Sequence, residues 1–211
     1  MIKKKDFVEI DFTGIIKESD QIFDTTEKEN AKKIGLKDIK PLKICVGEGM
    51  LLRGFDEALE GKELNKQYQI ELKPEQAFGP RKPNLIKLIP MSVFLERNIH
   101  PYQGLMLNMD GMVARISSVS GGRVITDFNS PLAGKTIIYE FKINRVLDKL
   151  EEKAKTISDF FTGEEAEVKL EGKKVIFTFN KKINNKLFER KVKDILDLEL
   201  EIKEKTKTEK K

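Results

Sequence analysis

The sequence predicts an α+β fold: antiparallel strands with one short helix, an inserted small β-rich unit, and a C-terminal ββαβ unit. Three observations lead there. Apolar and polar residues alternate with the period of two that marks half-buried strands, first in Phe7-Val8-Glu9-Ile10-Asp11-Phe12. The texture changes at Ala77, after which Pro80, Pro83, Pro90 and Pro101 punctuate the chain. Beyond Pro131 there are no further prolines, and the charged run Asp148–Lys153 leads into a new set of apolar runs.

Taken in order, Asp6–Thr13 is the first strand, interrupted by Gly14, and Ile22-Phe23 precedes a polar turn at Asp24-Thr25-Thr26. Residues Thr26–Lys40 are lysine-rich and poor in apolar side chains, as a surface connection would be. Leu42–Val46 and Tyr68–Leu72 are strands, and between them a helix over Phe55–Glu60 stops at Gly61. Leu85–Ile89 reads as a strand and Met91–Arg97 as one or two helical turns. Leu105–Met109, Met112–Val119 and Arg123–Phe128 are strands whose turns carry Asp110-Gly111 and Gly121-Gly122, both hairpin signals. Thr136–Val146 is a long strand in which Ile137, Tyr139, Phe141 and Ile143 alternate.

In the C-terminal part, Glu167–Leu170 and Lys174–Phe179 form a hairpin about Gly172. Asn184 or Asn185 caps a helix with Leu187, Phe188, Val192, Ile195 and Leu196 on its apolar face, and Leu198, Leu200 and Ile202 alternate in a last strand. The apolar positions Val175, Ile176, Phe177 and Phe179 leave little of this unit facing solvent, so self-association as a homodimer through the C-terminal domain is expected. The expected domains are 1–83 with 128–150, the insert 84–127, and 151–211.

Composition narrows the function. Of 211 residues, 36% are charged, but the net charge of +5 is spread in mixed sign, and part of it sits in a polar tail from Lys203 to Lys211. A one-sided basic patch is missing, which argues against a nucleic-acid partner. No stretch approaches the ~20 apolar residues of a membrane span, and the opening Met1–Asp6 is not followed by an apolar leader, so a cytoplasmic protein without a membrane partner is expected. The single Cys45 excludes an intrachain disulfide and fits a reducing compartment. Abundant Lys and Glu with no Trp suggest a heat-adapted cytosol.

Covalent and metal-assisted chemistry find little support. His100 has no His or Cys partner for a metal site and no neighbouring nucleophile, so no metal and no cofactor is expected. Cys45, between Ile44 and Val46, reads as a buried thiol. Gly47-Glu48-Gly49 has Leu52 where a dinucleotide-binding loop needs its third glycine, and neither Gly61-Lys62 nor Gly134-Lys135 completes a phosphate loop.

What remains is a set of large apolar residues around turns with one acid among them: Phe23-Asp24, Leu42, Leu51-Leu52-Arg53-Gly54-Phe55, Ala77-Phe78-Gly79 and Tyr139. With Phe12-Thr13-Gly14, this constellation resembles the FKBP-type peptidyl-prolyl isomerases over about residues 5–148. The resemblance implies an FKBP-like antiparallel sheet wrapped on a short helix, with a proline held between them. It implies Phe55 as the pocket floor and Phe12, Phe23, Leu42, Leu51 and Tyr139 as walls. Asp24 would be the acid beside the twisting amide, Leu52 a backbone donor, and Phe78 a cover. The implied catalytic set is therefore Asp24, Phe55, Phe78 and Tyr139. The family usually has Trp at the floor and Tyr where Phe12 and Phe78 stand, so Phe78 lacks the hydroxyl that would bond a substrate carbonyl.

The residues between Gly79 and the last strand look like the insert-in-flap domain of the SlyD-like, long archaeal branch, which binds unfolded chains. Met91, Val93, Phe94, Leu95, Leu105, Met106, Met109 and Met112 would supply its chaperone surface, since flexible Met side chains adapt to varied partners. The implied partners are unfolded or proline-containing polypeptides.

Overall fold

A computed structural model describes residues 1–205. Strands β1 (Phe7–Ile16) and β9 (Ile137–Val146), each ten residues long, are the paired centre of a five-stranded sheet. β2 (Gln21–Thr25) and β3 (Leu42–Cys45) both pair with the far edge of β1, and β4 (Gln67–Leu72) pairs with β9; every pairing is antiparallel. Because side chains alternate across a strand, Val8, Ile10 and Phe12 share one face with Phe141 and Ile143, and all five are buried. Helix α2 (Arg53–Leu59) lays Phe55 and Leu59 on that face. Gly61, at φ +76°, follows the helix where the sequence places its stop.

Two stretches of this sheet's N-terminal half differ from expectation. Asp24 and Thr25 are strand rather than turn, because Thr25 is held by its side chain: its hydroxyl meets the Thr13 hydroxyl at 2.9 Å and donates to the Phe12 carbonyl at 3.0 Å. The lysine-rich connection contains a short helix, α1 (Lys28–Lys33), which buries only Ala31 and therefore leaves almost no apolar signal.

Residues Lys73–Thr136 form a second compact unit. Its four-stranded sheet runs β5 (Ile86–Pro90), β8 (Arg123–Asp127), β7 (Met112–Ser120), β6 (Met106–Met109), with helix α3 (Met91–Leu95) after β5. Phe94, Met109, Ala114, Ile116 and Val124 are its core.

The C-terminal part belongs to the first unit. It opens with a helix, α4 (Leu150–Thr162), which begins inside the charged run Asp148–Lys153, where the sequence shows no helical pattern. Ala154 and Ile157 lie a turn further on and are fully buried, so the apolar face begins behind the charges. β10 (Ala166–Glu171) and β11 (Lys174–Phe179) are the expected hairpin, and Asn185 caps α5 (Lys186–Leu196) by accepting the Phe188 N–H at 3.0 Å. β12 (Glu199–Glu204) returns parallel to β11. Lys203 and Glu204 of the expected tail are therefore strand, while 206–211 lie outside the described residues.

Register assigns Val175, Phe177 and Phe179 to one face of this sheet, and Phe188 of α5 packs edge-on against both phenylalanines. The opposite face carries Glu167, Lys169, Lys174, Glu201 and Lys203, with ion pairs Lys174–Glu201 and Lys203–Glu201. That face is plainly solvated, contrary to the reading of the strand sequence alone, because Ile176 is its one buried apolar residue. No helix among the described residues is long and apolar enough to cross a membrane.

Candidate functional site

The aromatic cluster on the inner sheet face is built by local geometry at Gly14. Across β1, Gly14 is paired with Asp24 on β2 and with Tyr139 on β9. The register then slips, so that Ile15 opposes Ile22 and Phe23 is the extra residue of a β-bulge. A bulge re-aims side chains that would otherwise alternate, which brings Phe23 beside Asp24 on the Tyr139 side. The absence of a side chain at Gly14 makes room: a Cβ there would lie 2.6 Å from Phe23 Cζ and 3.0 Å from Tyr139 Cε1.

Phe55 is the centre. It is 1% exposed, stacks on Tyr139 at 4.4 Å between ring centres, and meets Phe141 at 5.1 Å and Phe12 at 6.0 Å. Tyr139 is met edge-on by Phe12 at 5.8 Å and by Phe23 at 6.0 Å. Offset and edge-to-face arrangements of this kind favour ring pairs. Burial first, and the Asp24 charge second, push the Tyr139 hydroxyl well above the ordinary phenol range. It is a neutral donor at every physiological pH. Asp24 itself is exposed at the rim, and Phe23 is half-buried.

The loop from β3 to α2 completes this side. Gly47 and Gly49 sit at φ +80° and +74°, and their N–H groups donate to the two carboxylate oxygens of Asp56 at 2.8 and 3.2 Å. Asp56 is buried and was not singled out in the sequence; an acid in the first turn of a helix, facing two loop glycines, was the available signal. The loop delivers Leu51 and Leu52, both half-buried, and among the described residues none accepts the Leu52 N–H. Leu42, opposite Ile10, opens β3. Burial, ahead of the charges of Glu48 and Asp56, pushes the Cys45 thiol up to about 12, so it is no nucleophile.

The structure thus gathers Phe12, Phe23, Asp24, Phe55 and Tyr139. Phe78 belongs to the second unit, half-buried between the turn Pro74–Gln76 and Gly79.

In that unit the expected chaperone residues divide. Phe94 and Met109 are 1% and 7% exposed and are core, a correction to their reading as surface; the amphipathic pattern of so short a unit does not distinguish its two faces. Met91 and Leu105 pack on that core half-buried, and Leu95, Met106 and Met112 are exposed. A groove of about 430 Å³ is lined by Leu85, Leu88, Ile89, Val93, Met109, Met112 and Phe128 together with the charged Lys87, Arg97 and Asp110.

A family model described as FKBP-type peptidyl-prolyl cis-trans isomerase matches residues 1–95, and one described as FKBP26, IF domain, matches 87–132. The chain is 32% identical to a short-type peptidyl-prolyl cis-trans isomerase of Methanocaldococcus jannaschii, over 69% of this chain and 94% of that protein. It is 29% identical to an FKBP-type 16 kDa isomerase of Escherichia coli K12, over 61% and 86%. It is also 27% identical to the SlyD isomerase of Helicobacter pylori, over 49% and 58%.

Proposed function

This chain belongs to the FKBP-type peptidyl-prolyl cis-trans isomerases, and we propose that it isomerises X-Pro bonds in the Phe55 pocket while its second unit captures unfolded polypeptide. The observation that carries the reading is the Gly14 arrangement, which sets one acid and one high-pKa hydroxyl on either side of a glycine, above a sealed aromatic floor.

Amide resonance sets a barrier of about 18–20 kcal/mol to rotation. At the transition state the amide is twisted, conjugation is lost and the carbonyl is less polar. The planar ground state loses more solvation on entering a dry aromatic pocket than the twisted state does, so the pocket favours rotation. Phe55 forms the floor, and Phe12, Phe23, Leu42 and Leu51 the walls. The Leu52 N–H holds the flanking chain, so that binding is strongest when the bond is twisted. Asp24 faces the positive edge of the rotating amide, and Tyr139 supplies the hydroxyl that Phe12 lacks. No proton transfer or covalent intermediate is required.

The capture surface is the groove lined by Leu88, Val93 and Met112, while Leu95 and Met106 are exposed elsewhere on the same unit. Capture raises the local concentration of prolines near the pocket. We assign chain capture to residues 84–127, which lie within the second unit, and isomerisation to 1–83 and 128–150, with 151–211 as the C-terminal domain. Asn129 joins the two ends of that module, accepting the Lys82 N–H at 2.8 Å and donating to the Lys82 carbonyl at 3.1 Å, so excision of 84–127 and closure by a short turn is geometrically simple. The excised enzyme keeps its peptide activity and loses most of its advantage in refolding a proline-limited protein. Equal refolding by the intact and excised forms would sink the capture reading. Self-association, if it runs through residues 151–211, uses the edge strands β10 or β12, the ladder edges left open in the sheet; sedimentation of the intact chain and of a form ending at Asp148 tests it.

A further inference from the structure

The C-terminal domain reaches the loop that carries Leu51 and Leu52. Lys191, on α5, places its ammonium 2.7 Å from Glu48 Oε2 and 3.2 Å from the Glu48 carbonyl oxygen. Neither partner is a loose surface side chain: the two are 19% and 15% exposed. The ammonium also lies 5.9 Å from the centre of the Phe161 ring on α4, and Asn185 at the start of α5 donates to the Phe161 carbonyl at 2.7 Å. α5 and α4 therefore hold the lysine from one side while Glu48 receives it on the other.

Glu48 is the middle residue of a loop whose two glycines depend on one acid, Asp56, for their N–H groups. Both glycines have left-handed backbones that glycine adopts with little penalty and from which it also departs easily. Asp56 fixes the loop from the helix side, and Lys191 fixes it from outside at the carbonyl between those glycines. Three residues further on stands Leu51.

We propose that Lys191 is a positioning residue of the isomerase: the C-terminal domain, through Lys191 and Glu48, holds the Leu51–Leu52 loop in its substrate-binding geometry. The inference rests on the role proposed above for Leu51 and Leu52. A loop that samples other conformations lowers the binding-competent fraction, and apparent affinity falls by that fraction. The change is therefore carried by KM, while kcat, set by the pocket around Phe55, moves little.

The test uses the full chain with a short X-Pro peptide, and follows amide hydrogen exchange in parallel. Lys191→Met raises KM about threefold or more with kcat within about twofold, and Lys191→Arg, which retains the charge and donors, restores most of the difference. Glu48→Gln, which keeps the carbonyl contact, has a smaller effect, and the double variant is no worse than Lys191→Met. Exchange at the Gly47 and Gly49 amides rises in Lys191→Met, with the β1–β9 amides unchanged. Wild-type KM in Lys191→Met, unaltered exchange at the two glycines, or exchange that rises equally throughout β1 and β9 would each overturn the proposal, the last by making the contact merely structural. Failure of the pocket reading shows separately, as a wild-type peptide rate equal to the uncatalysed one, and overturns both.

Discussion

Substituting Gly14 by Ala isolates the site from the fold. The residue is buried between Asp24 and Tyr139, and its new methyl would lie 2.6 and 2.9 Å from Phe23 Cζ and Cε1, and 3.0 Å from Tyr139 Cε1. Carbon atoms settle at about 3.5–4.0 Å, so the Phe23 ring must make the larger retreat, roughly 1 Å, and Tyr139 must give by about half an ångström. Tyr139 is wedged against Phe55 and Phe12, whereas Phe23 is half-buried at the rim. Phe23 moves. Forcing a side chain about 30° off its rotamer costs about 0.5–1.5 kcal/mol, while Ala in place of Gly within a strand returns about 0.5–1 kcal/mol. Global stability is thus nearly unchanged, with Tm within about 4 °C of wild type. The pocket wall, however, is displaced, and a loss of about 1 kcal/mol in transition-state binding lowers kcat/KM about fivefold. A protease-free peptide isomerisation assay beside a thermal melt reads both. An unchanged kcat/KM would refute Phe23 as a pocket wall, and a fall in Tm beyond about 10 °C would show that the clash enters the core instead of being relieved at the rim.

Other outcomes follow from single groups. Phe55→Ala removes a ring held by Tyr139, Phe141 and Phe12, and destabilises by about 3–5 kcal/mol in denaturant unfolding, so Asp24→Asn is the better activity probe. Glu152 accepts from Arg145 at 2.6 Å and from Lys43 at 2.7 Å, and these bonds, Arg145 first, hold its carboxyl down at about 2. A depressed folded pKa stabilises above the unfolded value of about 4.3 and is lost as pH falls toward 2. With Arg145 and Lys43 both more than a third exposed, solvent screening leaves about 1 kcal/mol of this. Glu152→Gln should flatten the stability curve between pH 5 and 2, as chemical unfolding at several pH values would show. Cys45 should resist thiol reagents at pH 8 until the protein is unfolded, since its thiol titrates at about 12.

The strands were legible because their apolar residues alternate, and the hairpins because Asp110-Gly111, Gly121-Gly122 and Gly172 punctuate them. Helix α5 was legible through Asn185 and its apolar stripe. The elements that escaped are those whose stabilisation is not periodic. α1 rests on a single buried alanine, and α4 hides its apolar face behind Glu151, Glu152 and Lys153. β2 keeps Thr25 by side-chain hydrogen bonds that span more than ten residues of sequence.

The site shows the same division. Phe12, Phe23, Asp24, Phe55 and Tyr139 were named from the resemblance, yet the β-bulge that turns Phe23 and Asp24 the same way is a register event that strand alternation alone does not predict. Burial, not residue type, separates Phe94 and Met109 from Met106 and Met112. Lys191 and Glu48 are far apart in sequence and look like two more charges in a chain full of them, so only the folded contact distinguishes them.

The proposed catalysis lowers a rotational barrier in the Phe55 pocket without exchanging a proton. The direct measurement is the cis-to-trans rate of a short peptide with an apolar residue before Pro, in water and in deuterium oxide, for wild type and Asp24→Asn. The expected result is a catalysed rate in wild type that is equal in the two solvents, and a clear reduction in Asp24→Asn at unchanged fold. A wild-type rate equal to the uncatalysed one, or a large solvent isotope effect on kcat/KM, would contradict it.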